Sequence, residues 1–290
     1  MRRWAATPAY NRHSLFRRLS TMHLCPSIPP STLACLLVGI LALPAARADD
    51  DVINPDRPNV ANSSQVVGNG RVQLETGLQW DRQRDTDAHV RTLTTPTLLR
   101  IGLSDALELR VETAGRTIAH ASDPATGAHT ASADWADGAA GVKWHLVDQD
   151  GMRPSVGLIA EAALPTGSRT VRGTGLRPFL NVPAEWDLGH DWSLGLMPGV
   201  GRDGDDAGAR YTYGVFAASL GKAFSERLHG FAELAAPRIA RAAHGGSQTV
   251  VDTGASWLLS RDCQLDAMAV HGLNRNTPGL SLAFGISVRR

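Results

Sequence analysis

Leu103-Ser104-Asp105-Ala106-Leu107-Glu108-Leu109-Arg110-Val111-Glu112 is the stretch that decides the fold. A short polar turn leads into strict alternation, with Leu107, Leu109 and Val111 on one face and Glu108, Arg110 and Glu112 on the other. Lipid-facing and lumen-facing side chains alternate in this way along a transmembrane β-barrel. Other short connections fall at Asp148-Gln149-Asp150-Gly151, Gly189-His190-Asp191, Ser225-Glu226-Arg227 and Ser260-Arg261-Asp262. Between them lie longer ones at 81–91, 115–135, 165–175, 202–209, 238–247 and 272–279. An up-and-down barrel produces this rhythm, with turns on the periplasmic side and loops outside. A soluble Greek-key sandwich has no reason to alternate its loops so.

The same parity extends to other segments. Val72, Leu74, Leu78 and Trp80 alternate with Arg71, Gln73, Glu75 and Gln79; Val142, Trp144 and Leu146 alternate with Lys143 and His145. Val156, Leu158, Ala160, Ala162 and Leu164 are set against Gly157, Ile159, Glu161 and Ala163. Leu280, Leu282, Phe284, Ile286 and Val288 are set against Ser281, Ala283, Gly285 and Ser287. The fold class expected is all-β, a single up-and-down antiparallel barrel of about twelve strands. Those strands are 71–80, 92–103, 107–114, 137–147, 154–164, 176–188, 192–201, 210–220, 228–237, 248–259, 263–271 and 280–288. An even number leaves both ends of the barrel on the periplasmic side. Trp144, Trp186, Trp192 and Trp257 fall near tight-turn ends and Trp80 near a loop end, as interfacial girdles require. Three of the tight turns open on Ser followed by a charged residue, a hairpin geometry repeated rather than a ligand motif.

Residues 1–48 read as a secretory signal peptide, whether translation starts at Met1 or Met22. Arginines at 2, 3, 12, 17 and 18 precede the apolar run Leu33 to Leu43, and Ala46-Arg47-Ala48 supplies a cleavage site before Asp49. The chain carries 29 Lys+Arg and 28 Asp+Glu. The leader holds six arginines and no acid, which leaves 23 basic against 28 acidic side chains, a net charge of −5. That balance argues against nucleic acid as a partner, since phosphate binding needs a concentrated basic face. Cys263 alone remains after the leader, so no intrachain disulfide and no cysteine-based zinc site is expected. No cofactor, metal or nucleotide is implied. Residues 49–70 form an N-terminal periplasmic segment, either a partial plug of the lumen or a loose lead-in, and 71–290 the barrel.

Parity places Glu75, Arg100, Glu108, Arg110, Glu112, Lys143, His145, Glu161, Glu185, Asp252 and Asp266 on the lumen face, with Arg71, Asp187 and Glu233 beside them. Such side chains either tune a solute pathway or pair with one another and fill a narrow barrel, and strand number does not decide between these. A third reading, an outer-membrane hydrolase, has only His120, Ser122, Asp123 and His129 in the longest loop, or His145 with Glu161, to draw on. No Gly-x-Ser-x-Gly elbow marks a nucleophile. The run Asp203-Gly204-Asp205-Asp206 reads as a solvated loop.

Ile53-Asn-Pro-Asp-Arg-Pro58, Gly70, Gln73-Leu74-Glu75 with Gly77, Leu164-Pro165-Thr166-Gly167-Ser168, Gly272-Leu-Asn-Arg-Asn-Thr-Pro278 and Leu282-Ala-Phe-Gly-Ile-Ser-Val-Arg289 follow one another in order. Together they resemble the MetA-pathway of phenol degradation family of outer-membrane transporters, over essentially the whole chain after the leader. The resemblance implies a passive or weakly selective conduit for small organic solutes, aromatic ones among them. The partners it implies are outer-membrane lipid and lipopolysaccharide, the barrel-assembly machinery and the solute. Barrels of this type generally end in an aromatic residue read during assembly. Here the last residues are Val288-Arg289-Arg290, so either Phe284 and Ile286 serve as the signal or assembly is less efficient.

Overall fold

A computed structural model of the chain describes residues 52–84, 88–205 and 208–290; the leader and the cleavage site before Asp49 lie outside them. Among these residues sixteen β segments form one antiparallel sheet that closes on itself. They are β1 (Val72–Arg84), β2 (His89–Thr94), β3 (Thr97–Gly102), β4 (Leu107–Thr113), β5 (Arg116–Ser122), β6 (His129–Trp135), β7 (Gly138–Val147) and β8 (Ser155–Leu164). β9 (Arg177–Asn181), β10 (Ala184–Gly189), β11 (Trp192–Gly204), β12 (Arg210–Ala223), β13 (Leu228–Ile239), β14 (Gln248–Ser260), β15 (Cys263–Gly272) and β16 (Leu280–Arg289) complete it. β2 with β3, β4 with β5, β6 with β7 and β9 with β10 are single strands interrupted by two-residue breaks, so the barrel has twelve strands. It closes through β1 and β16, from Gln73 opposite Arg289 to Arg82 opposite Leu280. Val72 and Arg290 exchange N–H···O bonds of 2.6 and 2.8 Å at the seam.

The faces are inverted relative to a soluble protein. On β4, Glu108 and Arg110 are buried while Leu109 and Val111 are exposed. Leu78, Phe216, Leu220, Leu234, Val251 and Phe284 likewise stand on the outer surface, which is the apolar belt of a barrel in lipid. Trp144, Trp192 and Trp257 are exposed near the short turns, and Trp186 Nε1 donates to Met152 O at 2.9 Å. The repeated Ser turns share one device: Ser104, Ser225 and Ser260 Oγ accept from the backbone N–H two residues on, at 3.2, 3.3 and 3.3 Å. No helix among the described residues is long and apolar enough to cross a membrane.

Three differences from the sequence reading concern what lies beyond the membrane. The span 115–135 is a hairpin, β5 and β6, rather than a loop; only 123–128 connects it. Outside lipid the outward face needs no apolar side chains, and the inward face here buries small ones, Ala119 and Ala121, so the apolar–polar alternation that marks a strand is lost. The breaks before β3, β5 and β7 line up across the sheet: Thr95 N donates to Ala114 O at 3.1 Å and Ala136 N to Gly115 O at 2.9 Å. Gly115 has φ +69°, and a Cβ on it would fall on the Thr95 carbonyl, so this position requires glycine. Second, the connection at 148–151 is longer, 148–154, and closes a small bridge between Asp150 and Arg153. Third, Asp203 belongs to β11 and is buried rather than solvated; Tyr211 OH donates to its Oδ2 at 3.1 Å.

Candidate functional site

Residues 53–69 run around the inner wall of the barrel. Ile53 N donates to Arg261 O at 2.7 Å in the turn before β15. Arg57 Nη2 pairs with Asp266 on β15 at 3.1 Å. Val60 N and Ala61 N then donate to the two oxygens of Glu233 on β13, at 2.7 and 2.9 Å, and Asn59 Nδ2 to Ser219 Oγ on β12 at 2.9 Å. Ser64 N reaches Glu185 Oε2 on β10 at 2.5 Å, Gln65 Nε2 reaches Ser155 Oγ on β8 at 3.0 Å, and Val67 N reaches Glu108 Oε2 on β4 at 2.9 Å. From Val60 to Val67 the partners pass from β13 through β10 and β8 to β4, the direction in which those strands follow one another in the barrel. Irregular backbone inside a barrel needs its N–H groups satisfied locally. Here ionised carboxylates on the wall do so, and such charge-assisted bonds are about twice as strong as neutral ones.

Asp56 is the hub of this arrangement. Its carboxylate receives Lys143 Nζ at 2.7 and 2.9 Å, Arg110 Nη1 at 2.5 Å and Ser63 N at 2.9 Å, with Arg100 Nη1 3.8 Å away. Arg100 also pairs with Glu108 at 2.8 Å and Glu75 at 3.1 Å, and Arg110 with Glu161 at 2.9 Å. Glu75 accepts in addition from Asp56 N and Arg57 N at 3.2 and 3.0 Å. All these groups are buried, so each charge depends on its partners rather than on water. Gly77 and Gly285 face each other across the seam, and a Cβ on either would run into the Arg57 guanidinium. At Gly285 the guanidinium is the nearest obstacle, and at Gly77 the Phe284 carbonyl is nearer still.

The structure therefore gathers Glu75, Arg100, Glu108, Arg110, Lys143 and Glu161 into one cluster around Asp56. Glu185 and Asp266 hold other parts of the inner segment. His145 lies near the periplasmic rim, with Nδ1 3.2 Å from Ser64 O and Nε2 3.0 Å from Asp148 Oδ1. Asp252 stands opposite Glu233 in the strand register, and both its oxygens are buried without a hydrogen-bond partner. Asp187 is exposed at the end of β10, where its Oδ1 accepts from Gly189 N at 2.8 Å. Asp56 and Arg57 escaped the reading of the sequence as charged lumen residues. The one cue is a charged dipeptide fixed between Pro55 and Pro58.

On the extracellular side of the inner segment is a cavity of about 460 Å³. Pro58 and Asn59 floor it, Leu98, Ala139, Ala163 and Phe179 supply apolar wall, and Glu112, Asp137 and Arg177 supply charge. Asp137 accepts from Gly167 N at 2.8 Å and Gly173 N at 2.7 Å, and pairs with Arg177. Further out, Arg238 lies 5.1 Å over the Tyr211 ring and 5.6 Å over Tyr213, hydrogen-bonds Tyr211 OH, and pairs with Asp203 at 3.4 Å. Tyr211 stacks on His244 with ring centroids 4.3 Å apart. None of this outer band was singled out from sequence as a site, because its members lie on four separate segments.

The rim residues considered for catalysis do not assemble. Ser122 and His129 are opposite in the β5–β6 register, but no side-chain hydrogen bond joins them. The Asp123 carboxylate is occupied by Thr126 Oγ1 at 2.7 Å and Ala125 N at 2.8 Å. Those bonds, the Thr126 hydroxyl first, hold it below the usual carboxylate range.

The sequence profile described as "Putative MetA-pathway of phenol degradation" matches residues 55–289. Among solved structures, the COG4313 outer membrane channel from Pseudomonas putida F1 is similar, with a TM-score of 0.53 and 14% identity over 80% of this chain and 99% of that one. The β domain of the Bordetella autotransporter BrkA is similar too, with a TM-score of 0.50 and 11% identity over 76% of this chain and 99% of that one. A channel and an autotransporter domain share this architecture, so likeness at this level shows the fold alone. Among curated protein sequences, none matches.

Proposed function

The chain belongs to the MetA-pathway of phenol degradation family, and on that premise we propose that it is an outer-membrane conduit for small organic solutes, aromatic ones among them. The observation that carries this reading is the cavity of about 460 Å³ inside the barrel, a size that suits one small ligand. Its lining is mixed: Leu98, Ala139, Ala163 and Phe179 suit an apolar ring, and charged groups suit a polar substituent. The channel from Pseudomonas putida, with its similar fold, supports the same reading. On this reading the lumenal residues Glu75, Arg100, Glu108, Arg110, Lys143 and Glu161 act on flux through the inner segment they hold. Outer-membrane lipid and lipopolysaccharide surround the apolar belt, the barrel-assembly machinery inserts it, and no catalytic step is involved.

The ring of contacts to residues 53–69 favours a second reading, a filled barrel with a structural or surface-interaction role. Solute flux into proteoliposomes separates the two. The comparison is between the full chain and a chain lacking residues 52–68, each shown to be folded by its heat-dependent gel mobility. A conduit gives selective entry of aromatic solutes over sugars with the full chain, and faster, less selective entry with the shortened one. No entry through folded full chain, together with open flux only after shortening, would make the barrel a filled one.

A further inference from the structure

We propose that Glu112 selects what rests in the cavity: it accepts the hydrogen-bond-donating head group, hydroxyl or ammonium, of a small aromatic solute and turns aromatic carboxylates away. The inference rests on the conduit reading above and names the solute chemistry of that site.

The other charges around the cavity are paired, although Arg177 Nε is buried without a hydrogen-bond partner. Asp56 is held by Lys143 and Arg110, Glu75 by Arg100 and two backbone N–H groups, Arg57 by Asp266, and Asp137 by Arg177 and two backbone N–H groups. The Glu112 side chain makes no hydrogen bond and no ion pair with any described residue. Arg110, two residues away on the same face of β4, is committed to Asp56, Glu108 and Glu161. The strand register explains why no partner reaches Glu112 from the sides. Its neighbours are Leu98 on β3 and Ala139 on β7, and Ala139 in turn faces Ala163 on β8.

One carboxylate thus projects from a row of apolar side chains into a space large enough for one ring. An aromatic body covers Leu98, Ala139 and Ala163 and excludes water from the carboxylate, which strengthens whatever bond the head group makes. A donor gains a charge-assisted hydrogen bond there. A carboxylate head meets a like charge at Glu112, while the cations of the lining, Arg57, Arg110 and Arg177, already hold Asp266, Asp56 and Asp137.

The test uses the full chain and the variants E112Q and E112L, with phenol, benzylammonium, benzoate and toluene as probes. Occupancy is measured by calorimetric titration of folded protein in detergent, and flux separately in proteoliposomes. Wild type should bind benzylammonium and phenol roughly tenfold or more above benzoate, the range expected for one charge-assisted hydrogen bond. E112Q keeps an acceptor oxygen without the charge, so it should retain phenol, lose benzylammonium and admit benzoate. E112L should no longer separate phenol from toluene. Glu112 holds nothing in the fold, so both variants should keep wild-type heat-dependent mobility. Flux that persists with the same solute order in all three proteins overturns the role of Glu112 and leaves the conduit standing. Binding that follows the expected order without flux removes the conduit and leaves the site. Neither binding nor flux removes both.

Discussion

Replacing Asp56 with Ala removes the inner-segment carboxylate that Lys143, Arg110 and Arg100 share at 2.7, 2.5 and 3.8 Å. Arg110 and Arg100 keep Glu161, Glu108 and Glu75, but Lys143 is left with Gln65 O at 3.3 Å and Glu108 at 3.9 Å. Breaking a buried pair by deleting one partner costs about 3–5 kcal/mol, because the remaining charge stays buried without compensation. That cost applies only while the inner segment is seated, since its release admits water to the cations. The equilibrium between seated and released states should therefore shift by a factor of roughly 10² to 10⁴. The readout is hydrogen exchange of the Val60 and Ala61 amides, which Glu233 protects from the far wall. They exchange only when the segment leaves, so their rates should rise by the same factor, with single-channel conductance rising alongside. Adding Lys143→Met to the Asp56→Ala chain should recover part of the protection, because the uncompensated ammonium is gone. Unchanged exchange at Val60 and Ala61 in Asp56→Ala would refute the claim that this cluster holds the segment in place.

Asp252→Asn should stabilise the barrel by about 1–3 kcal/mol, since it removes a buried carboxylate whose two oxygens have no partner and which stands opposite Glu233; a lower midpoint of heat-dependent gel mobility would contradict this. Gly285→Ala places a Cβ on the Arg57 guanidinium and strains its pair with Asp266. Overpacking of this kind costs about 1–3 kcal/mol, so exchange at Val60 and Ala61 should quicken while barrel melting stays put. Gly115→Ala forces a Cβ onto the Thr95 carbonyl at φ +69°, for about 1–3 kcal/mol of strain. It should loosen β5 and β6, seen as faster amide exchange at Ile118 and Ala133, and equal rates in both proteins would show that the aligned breaks are not tightly packed.

Much of the barrel was legible because lipid imposes a hard rule on one face. β4, β7 and β8 announce themselves through Leu109, Trp144 and Leu158 alternating with Arg110, Lys143 and Ile159, and the turns through Ser104, Ser225 and Ser260. Where lipid stops, the rule stops: one face of the hairpin carries Arg116, Ile118, His120, Ser122 and His129, the other Thr117, Ala119, Ala121, Thr130, Ser132 and Asp134, and neither reads as apolar. Parity tells which charges face inward but not what they meet. Nothing at Glu233 or Glu185 signals that each takes backbone N–H groups from residues 60–64. Gly77 and Gly285 look like ordinary strand glycines until Arg57 is seen to lie across them.

The pairing changes what the lumenal charges can be held responsible for. A charge that tunes selectivity must face the passing solute with its field uncancelled, and Arg100, Arg110, Lys143, Glu75, Glu108 and Glu161 are buried and matched against one another and Asp56. Their fields nearly cancel at the distance of a solute above the inner segment. What they control is whether that segment stays, because every one of them loses a partner or an N–H donor if it leaves, or neighbours one that does. Control of passage and choice of solute thus fall to different residues on the same strand. Glu108 and Arg110 hold the segment, and Glu112, one step further along the same face of β4, meets the cavity without a partner.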